Sequence, residues 1–278
     1  MKIIIIGAKG MLGQELAKVF VNNDLLLWDR NEIDIVDAAA VEQKVCSSKP
    51  DLIINAAAYN AVDDCETNFE IAKKINADGP VNLAKAANAV GAVLVHYSTD
   101  YVFAGNRVDG YKENDAPSPI SKYGESKMLG EKVLDEYAKS YLIRTSRLFG
   151  KLASSDGAKK SFVDVMLNLA QTKKELMVVD EELSCPTYVV DLAQATKALI
   201  DSKKDFGIYH LTNNGACSWL DFAKEIFKIA KKDVILIPVG SDHFPRPAKR
   251  PKFSCLLNTK FAPLRTWQEA LKNYLEGQ

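Results

Sequence analysis

Three glycines that directly follow an apolar segment constrain the fold of this chain more than any other feature. Residues 2–6 read KIIII, and a continuous apolar run of this length predicts a strand buried on both faces. Gly7, Gly10 and Gly13 come next, and a helical spacing of apolar residues begins among them. At such a turn, the glycines permit the sharp bend, the close approach of a pyrophosphate and tight helix–sheet packing. The helix N-terminus also offers unpaired N–H groups, so the segment predicts a dinucleotide-binding site.

Short β-rich runs alternate with longer helical patterns from this turn to about residue 145. Strands that alternate with helices predict parallel strands covered on both faces. We therefore expect an α/β protein with a Rossmann-type doubly wound parallel sheet and a smaller C-terminal α/β substrate-binding region. Residues 1–150 form the expected dinucleotide-binding domain. Residues 151–278 form the substrate-binding region, and some of its strands are expected to return to the main sheet.

Composition excludes several classes of protein. The 278 residues include 36 Lys and Arg and 36 Asp and Glu, so no net positive charge favours nucleic acid or anionic lipid. No apolar run approaches the roughly 18 residues that span a bilayer, and the apolar run at the N-terminus is too short for a signal peptide. The five cysteines form no CxxC motif. We expect a cytoplasmic protein with reduced thiols and with neither a nucleic-acid nor a membrane partner.

Charged and small residues after the next two predicted strands suggest further cofactor contacts. Asp29 stands about 20 residues beyond the glycine turn, where a carboxylate binds the adenosine ribose of NAD. Arg30 follows at once and is suited to a 2′-phosphate, so the choice between NADH and NADPH stays open. An adenine would lie against Ile35, close to Asp34. Three small residues let the main chain run beside a cofactor: Ala56, Ala57 and Ala58.

A YxxxK motif formed by Tyr123 and Lys127 lies in a helix predicted over residues 121–140. The spacing of four places both side chains on one helix face. A phenol is a poor acid or base at neutral pH, and a neighbouring ammonium lowers its pKa, so Lys127 is expected to tune Tyr123 and to hold a ribose. Ser98 and Thr99 end the preceding predicted strand, at the sheet edge where ligands bind. One of these hydroxyls is therefore expected to contact a substrate oxygen.

Five further motifs accompany the glycine turn: NAAAYNAVD at residues 55–63, STDYVF at 98–103, YGESK at 123–127, RTS at 144–146 and CPTYVVDL at 185–192. With these motifs the chain resembles the extended short-chain dehydrogenase/reductases, and more narrowly the dTDP-4-dehydrorhamnose reductase family. The resemblance covers most of the chain. It implies reduction of a keto group on a nucleotide-diphosphate sugar, with NADPH or NADH as the cofactor.

The resemblance also implies roles for individual residues. The catalytic residues would be Thr99, Tyr123 and Lys127, and Thr99 and Asp100 would contact the substrate. Asn76, in a helix predicted over residues 71–90, matches an asparagine that bends this helix and holds water. Cofactor contacts, in addition to Tyr123 and Lys127, are implied at Gly7, Gly10, Met11, Leu12, Gly13, Asp29, Asp34, Ile35, Ala57, Ala58 and Tyr97.

The chain departs from the family pattern after the RTS motif, where Arg147 replaces a tryptophan near the sugar. A guanidinium there can bind phosphate or carboxylate, so Arg147 would contact either an altered sugar or the diphosphate. The Pro-rich segment 244–253 supplies a second basic group. Arg250, with Arg246 and Lys249 as further candidates, would pair with the diphosphate of the substrate.

Alternatives remain at this point. Some members of the family dimerise around a metal held by glutamates. Glu15 is in place here, but Val190 occupies the second carboxylate position, so we expect no metal and leave a homodimer open. A different nucleotide-sugar reductase or epimerase, or a 4,6-dehydratase of the same superfamily, is one competing function. A non-catalytic NADP-binding regulatory subunit is the other.

Overall fold

The computed structural model describes residues 1–154 and 160–277. Its strands, numbered along the chain, are β1 (Lys2–Ile6), β2 (Asp24–Trp28), β3 (Leu52–Asn55), β4 (Val93–Thr99), β5 (Ser140–Thr145), β6 (Leu148–Phe149), β7 (Glu175–Val179), β8 (Thr187–Tyr188), β9 (Gly207–His210) and β10 (Ile235–Val239). Its helices are α1 (Met11–Val19), α2 (Ala38–Ser48), α3 (Phe69–Lys73), α4 (Gly79–Val90), α5 (Lys122–Gly130), α6 (Val133–Glu136), α7 (Phe162–Leu169), α8 (Val189–Asp201), α9 (Trp219–Ile229) and α10 (Trp267–Glu276).

The main sheet contains six strands in the order β2-β1-β3-β4-β5-β9. Every neighbouring pair in it is parallel. The chain moves from β1 to β2 on one side and then returns to the other side through β3. The direction of winding thus changes between β1 and β3, which is where ligands bind in open α/β sheets. This sheet confirms the predicted doubly wound parallel architecture.

The sheet is buried on both faces because side chains of a strand alternate between them. Ile3 and Ile5 of β1 pack in the core that also contains Leu16 of α1 and Leu192 of α8. Ile4 and Ile6 pack on the opposite face, in the core formed with α2 and α4. This two-sided burial explains why β1 is a continuous apolar run rather than an alternating one.

The C-terminal part of the chain adds elements to the main sheet and also forms a separate substructure with its own apolar core. β9 pairs with β5 at the edge of the main sheet, and α8 packs on the same face as α1. A separate apolar core joins α7, α9 and α10 with the two-stranded sheet of β7 and β10. Strands β6 and β8 form a further parallel pair.

Two predicted helices differ from the structure. The helix expected over residues 121–140 ends at Gly130, and the short α6 follows. A Cβ atom at Gly130 would lie 2.0 Å from the carbonyl oxygen of Asn76, so α5 ends at a very close contact with the neighbouring segment. The helix expected over residues 71–90 begins at Phe69 and contains a π-helical segment, Lys74–Asp78, between α3 and α4. π-Helical turns often occur beside functional sites.

Asn76 lies in this π-helical segment and is fully buried. Its side chain accepts a hydrogen bond from the Tyr59 N–H at 2.7 Å and donates one to the Tyr59 carbonyl at 3.0 Å. It also donates to the Ser126 hydroxyl at 3.0 Å. Asn76 therefore links the segment after β3 to helix α5, which carries the YxxxK motif.

Candidate active site

A cavity of about 310 Å³ lies at the carboxyl ends of β1, β3, β4 and β5. Its position is the ligand-binding edge of a parallel sheet. The cavity brings the glycine turn and the YxxxK motif together, although more than a hundred residues separate them in the sequence. Its walls are formed by Gly10, Met11, Leu12, Gly13, Ala56, Ala58, Asn60, Tyr97, Ser98, Thr99, Tyr123, Lys127, Thr145, Ser146, Arg147 and Leu148.

The glycine turn at one end of this cavity leaves no room for side chains. Gly7 has a φ of 76°, and a Cβ atom there would lie 2.8 Å from the main-chain nitrogen of Ala57. A Cβ atom at Gly13 would lie 2.1 Å from the carbonyl oxygen of Gly7. Helix α1 begins after Gly10, which provides no side-chain cap. Its first N–H groups are therefore available to an anion, and the turn fits a dinucleotide pyrophosphate.

The residues predicted for the adenosine end lie outside the cavity walls. The Asp29 carboxylate accepts hydrogen bonds from the main-chain N–H groups of Lys9 at 3.0 Å and Arg30 at 2.9 Å. The Arg30 side chain is exposed, and none of the described residues accepts a hydrogen bond from it. Asp34 accepts a hydrogen bond from the main chain, while Ile35 is buried.

Lys127 is 2% exposed, and its Nζ donates a 2.7 Å hydrogen bond to the carbonyl oxygen of Tyr97. Burial lowers the pKa of Lys127 to about 8, against the opposing effect of the Glu131 carboxylate. The hydroxyl of Tyr97 makes a 2.8 Å hydrogen bond with Thr196 in α8. Tyr97 therefore contributes its main chain and ring to the site, whereas its hydroxyl lies in the core.

Tyr123 lines the cavity, and its hydroxyl donates a 3.3 Å hydrogen bond to Oδ1 of Asn60. Burial raises the pKa of Tyr123 above its usual value, although a hydrogen bond with Thr99 acts in the opposite direction. The pKa of Tyr123 thus moves upward rather than downward, because the cost of burying a phenolate dominates, and the tuning of this pKa by Lys127 stays a prediction. Tyr123 is a protonated phenol at neutral pH and can act as a proton donor.

Thr99 reaches the cavity with its hydroxyl anchored on a buried carboxylate. Thr99 Oγ1 donates to Oδ1 of Asp100 at 3.1 Å, and the Ser254 hydroxyl donates to Oδ2 of Asp100 at 2.6 Å. Burial raises the pKa of Asp100, and the hydrogen bond from Ser254 opposes the rise. Asp100 lies behind Thr99 rather than in the cavity wall, so it orients the threonine hydroxyl. The neighbouring Ser98 hydroxyl donates instead to Glu131, at 2.7 Å.

The two arginines predicted to contact substrate differ in position. Arg147 lies in the cavity wall. Arg250 lies outside it and forms a bidentate ion pair with Asp63, with nitrogen–oxygen distances of 3.0 and 2.8 Å. Arg246 is paired with the carboxylate of Glu182. The Pro-rich loop therefore brings its arginines near the site, but carboxylates of the chain bind both.

Sequence reasoning did not single out several residues of the cavity wall. Asn60, Thr145, Ser146 and Leu148 were not expected there; Asn60 comes after β3, and the other three lie at the end of β5 or directly after it. The Oγ1 atom of Thr145 is buried and has no hydrogen-bond partner among the residues described. The position of RTS at the carboxyl end of β5 was the signal that could have identified Thr145 and Ser146.

Residues 1–154 and 160–277 contain neither a metal-site arrangement nor a helix able to cross a membrane. No group of three or more His, Cys, Asp or Glu side chains in this part of the chain has the arrangement of a metal site. Glu15, considered above in connection with metal, is paired with Lys18 at 2.6 Å. None of the helices described there has the length and apolar character needed to cross a membrane.

Comparisons with known proteins agree over the whole length of the chain. The family model described as the RmlD substrate binding domain matches residues 1–278. The dTDP-4-dehydrorhamnose reductase of Escherichia coli K12 is 38% identical over 296 residues, which cover 99% of this chain and 97% of the relative. A crystal structure of a dTDP-4-dehydrorhamnose reductase from Clostridium acetobutylicum is 42% identical, with a TM-score of 0.93 and 99% coverage of both chains. The Bacillus anthracis dTDP-4-dehydrorhamnose reductase, solved in complex with NADP, is 38% identical, with a TM-score of 0.94 and coverage of 100% of this chain and 99% of that one.

Proposed function

The chain belongs to the dTDP-4-dehydrorhamnose reductase family, and on that premise we propose that it reduces the 4-keto group of a nucleotide-linked deoxysugar. It is an oxidoreductase that uses NADP(H). The proposed substrate is dTDP-4-dehydro-L-rhamnose, and the proposed product is dTDP-L-rhamnose. One observation carries the proposal: Thr99, Tyr123 and Lys127 share a single cavity with the pyrophosphate-binding turn.

The glycine turn and the residues around it would hold the cofactor. The N-terminus of α1 would bind the pyrophosphate, and Asp29 and Arg30 would bind the adenosine ribose and its 2′-phosphate. Lys127 would bind the nicotinamide ribose, and bound NADPH supplies a hydride to the carbonyl carbon. The remaining proposed contacts are Asp34, Ile35, Ala56, Ala57, Ala58 and Tyr97.

Three side chains perform the remaining steps. As the carbonyl carbon accepts the hydride, negative charge develops on the carbonyl oxygen. The Thr99 hydroxyl, which donates to Asp100 in the structure, would rotate to donate its hydrogen bond to this oxygen, and Tyr123 would transfer its hydroxyl proton to it, which forms the alcohol. Burial keeps Tyr123 protonated before the reaction, as a general acid requires. The ammonium of Lys127 offsets the negative charge left on Tyr123 after the transfer.

The carboxyl ends of β4 and β5, together with the Pro-rich loop of residues 244–253, would supply the substrate contacts. Thr99 and Asp100 would position the sugar, and Arg147 lies in the same wall. Arg250 would bind the diphosphate in place of Asp63, because a phosphate offers the same bidentate acceptor geometry as a carboxylate.

The test is NADPH oxidation, followed by absorbance, with a dTDP-4-keto-6-deoxy sugar as the second substrate. Tyr123→Phe is expected to lower kcat by about a hundredfold or more, as loss of a general acid does, while the Kd for NADPH stays unchanged. Tyr141→Phe is the matched control, because the Tyr141 hydroxyl donates to the carbonyl of Lys204 far from the cavity. Full activity of Tyr123→Phe would refute the acid role.

The wild-type result separates the competing functions. An epimerase or dehydratase converts the sugar with no net consumption of NADPH, and a regulatory subunit binds NADPH without turnover. Either result would contradict the reductase proposal.

A further inference from the structure

Arg147 is held in a conformation that a residue with a side chain adopts only at a cost. Its φ is 42°, in the left-handed region, at the turn between β5 and β6. Residues with such a strained backbone conformation occur where contacts with the surrounding structure hold them in place, and they are frequent at functional sites. The backbone at Arg147 is thus held by the surrounding fold in a conformation that an isolated turn would avoid.

Contacts from two other segments of the chain, at Glu182 and at residues 217–219, hold the guanidinium in place. Nη2 donates to the carbonyl of Glu182 at 2.7 Å, and Nη1 donates to the carbonyl of Cys217 at 3.1 Å. The centre of the guanidinium lies 3.8 Å from the centroid of the Trp219 ring. An arginine held by two carbonyls and stacked on an indole loses little conformational entropy when it binds a ligand.

The positive charge of Arg147 is not neutralised by an ion pair. No carboxylate within residues 1–154 and 160–277 comes within 4.0 Å of its nitrogens. The nearby Glu182 carboxylate is bound to Arg246, and the Asp100 carboxylate accepts from Ser254 and Thr99. Burial lowers the pKa of Arg147 from its usual high value, but an arginine remains charged.

The guanidinium also has unused donors in the cavity wall. A guanidinium carries five N–H groups, and only the two bonds to carbonyls involve acceptors in the described chain. A half-buried cation with free donors is stabilised by an anion that accepts from it. The glycine turn lines the same cavity and would hold the cofactor pyrophosphate at the N-terminus of α1, so the anion for Arg147 would belong to the molecule undergoing reduction beside Thr99 and Tyr123.

We propose that Arg147 is a specificity-determining residue that binds an anionic oxygen of the substrate. The inference rests on the proposed function, because it takes the substrate to be a nucleotide-linked sugar. The proposed substrate carries this chemistry in its diphosphate, and a related nucleotide-linked sugar with an acidic ring would carry it in a carboxylate as well. Phosphate and carboxylate both match the forked geometry of arginine.

The experiment measures Kd by calorimetry for three probes, dTDP, dTDP-glucose and dTDP-glucuronate, with the protein saturated with NADP⁺. Arg147→Gln removes the positive charge. Arg147→Lys keeps the charge but lacks the planar paired donors of the guanidinium. Arg107→Gln is the matched control, because Arg107 is about half exposed and pairs with Asp115. An unchanged Kd for NADP⁺ in the Arg147 variants shows that the fold and the cofactor site are intact.

The pattern of losses distinguishes the two sources of the anion. A phosphate contact predicts that Arg147→Gln weakens binding of all three probes by about tenfold to a hundredfold, the usual range for a charge-assisted hydrogen bond. A contact to a sugar carboxylate predicts this loss for dTDP-glucuronate alone. In both cases Arg147→Lys should restore part of the affinity.

Equal affinities of Arg147→Gln and the wild type for all three probes would overturn the inference while leaving the reductase proposal intact. Failure of the wild type to bind any of them would overturn the proposed function, and this inference with it.

Discussion

The ammonium of Lys127, in helix α5, donates a 2.7 Å hydrogen bond to the carbonyl oxygen of Tyr97 at the end of β4. The bond joins the YxxxK helix to the sheet edge where the cavity opens. Because Lys127 is 2% exposed, its charged form loses most of its hydration, and its pKa falls to about 8. The pKa of Tyr123 moves upward instead. Of these two groups, Lys127 is therefore the one that titrates just above neutral pH.

The first prediction concerns the alkaline side of the pH profile. As pH rises through about 8, Lys127 loses its proton and the positive charge that holds the ribose and supports proton transfer from Tyr123. We expect kcat/KM for NADPH to fall through this range in the wild type. In Lys127→Arg the charge persists, so the alkaline fall should vanish even if overall activity is lower. An unchanged fall near pH 8 in this variant would assign it to another group.

The lowered pKa of Lys127 also makes the free energy of unfolding depend on pH. The unfolded chain keeps Lys127 at its usual pKa of 10.5, so between about 8 and 10.5 the unfolded state binds more protons than the folded state. This group therefore makes the free energy of unfolding rise with pH across that window. Lys127→Met should reduce the rise, and urea denaturation at several pH values measures it.

A second prediction concerns the glycine turn. In Gly13→Ala the new Cβ atom would lie 2.1 Å from the Gly7 carbonyl oxygen, so the turn must open. We expect the variant to lose affinity for NADPH and about 1–3 kcal/mol of unfolding free energy, as overpacked sites do. Gly91→Ala is the control, since Gly91 has a φ of 75° but no neighbour within 4 Å of a new Cβ atom. It should lose about 1 kcal/mol through backbone strain and keep its affinity for NADPH, as measured by fluorescence titration. Native affinity in Gly13→Ala would contradict the assignment of the turn.

A third prediction addresses the choice of cofactor. Both carboxylate oxygens of Asp29 already accept main-chain hydrogen bonds, whereas the Arg30 side chain is exposed and donates to no described residue. Arg30 is therefore available to a 2′-phosphate. Arg30→Ala should raise KM for NADPH by about tenfold and change KM for NADH little, because only NADPH carries that phosphate. Equal changes for the two cofactors would assign Arg30 a general structural role.

The architecture of the main sheet could be predicted because local sequence determines it. Each inner strand is an apolar run, and the helical patterns between them alternate regularly. The main pieces of the site were predictable for a related reason, since Thr99 ends β4 and the glycine turn follows β1, and the carboxyl ends of these strands share one sheet edge. The end of helix α5 was not predictable, because it depends on the contact between Gly130 and Asn76, 54 residues away in the sequence.

Side-chain directions at the site also depended on distant partners. Tyr97 directs its hydroxyl to Thr196 in the core, and Ser98 directs its hydroxyl to Glu131. The guanidinium of Arg147 stacks on Trp219, which lies beyond α8 in the chain. No local spacing encodes these contacts, because the residues meet only once the sheet and the C-terminal region have packed together.

The last prediction concerns the ion pair between Arg144 and Glu131. Arg144 is 1% exposed, and its Nε and Nη2 donate to the two carboxylate oxygens of Glu131 at 2.8 and 2.6 Å. Glu131→Gln leaves this buried charge without its counterion, which typically costs about 3–5 kcal/mol. Denaturation by urea measures the loss. Glu225→Gln is the control, because its partner Lys228 is largely exposed, and its effect should stay below about 1 kcal/mol.

Glu131→Gln should also change the pH dependence of activity. The Glu131 carboxylate raises the pKa of Lys127 against the lowering caused by burial, so its removal lowers that pKa further. The alkaline fall in kcat/KM should therefore move to lower pH in Glu131→Gln, provided that assays are run below the temperature at which the variant unfolds. Glu225→Gln should leave the pH profile unchanged. If Glu131→Gln loses stability but keeps the wild-type pH profile, then the fall in activity does not report the charge of Lys127.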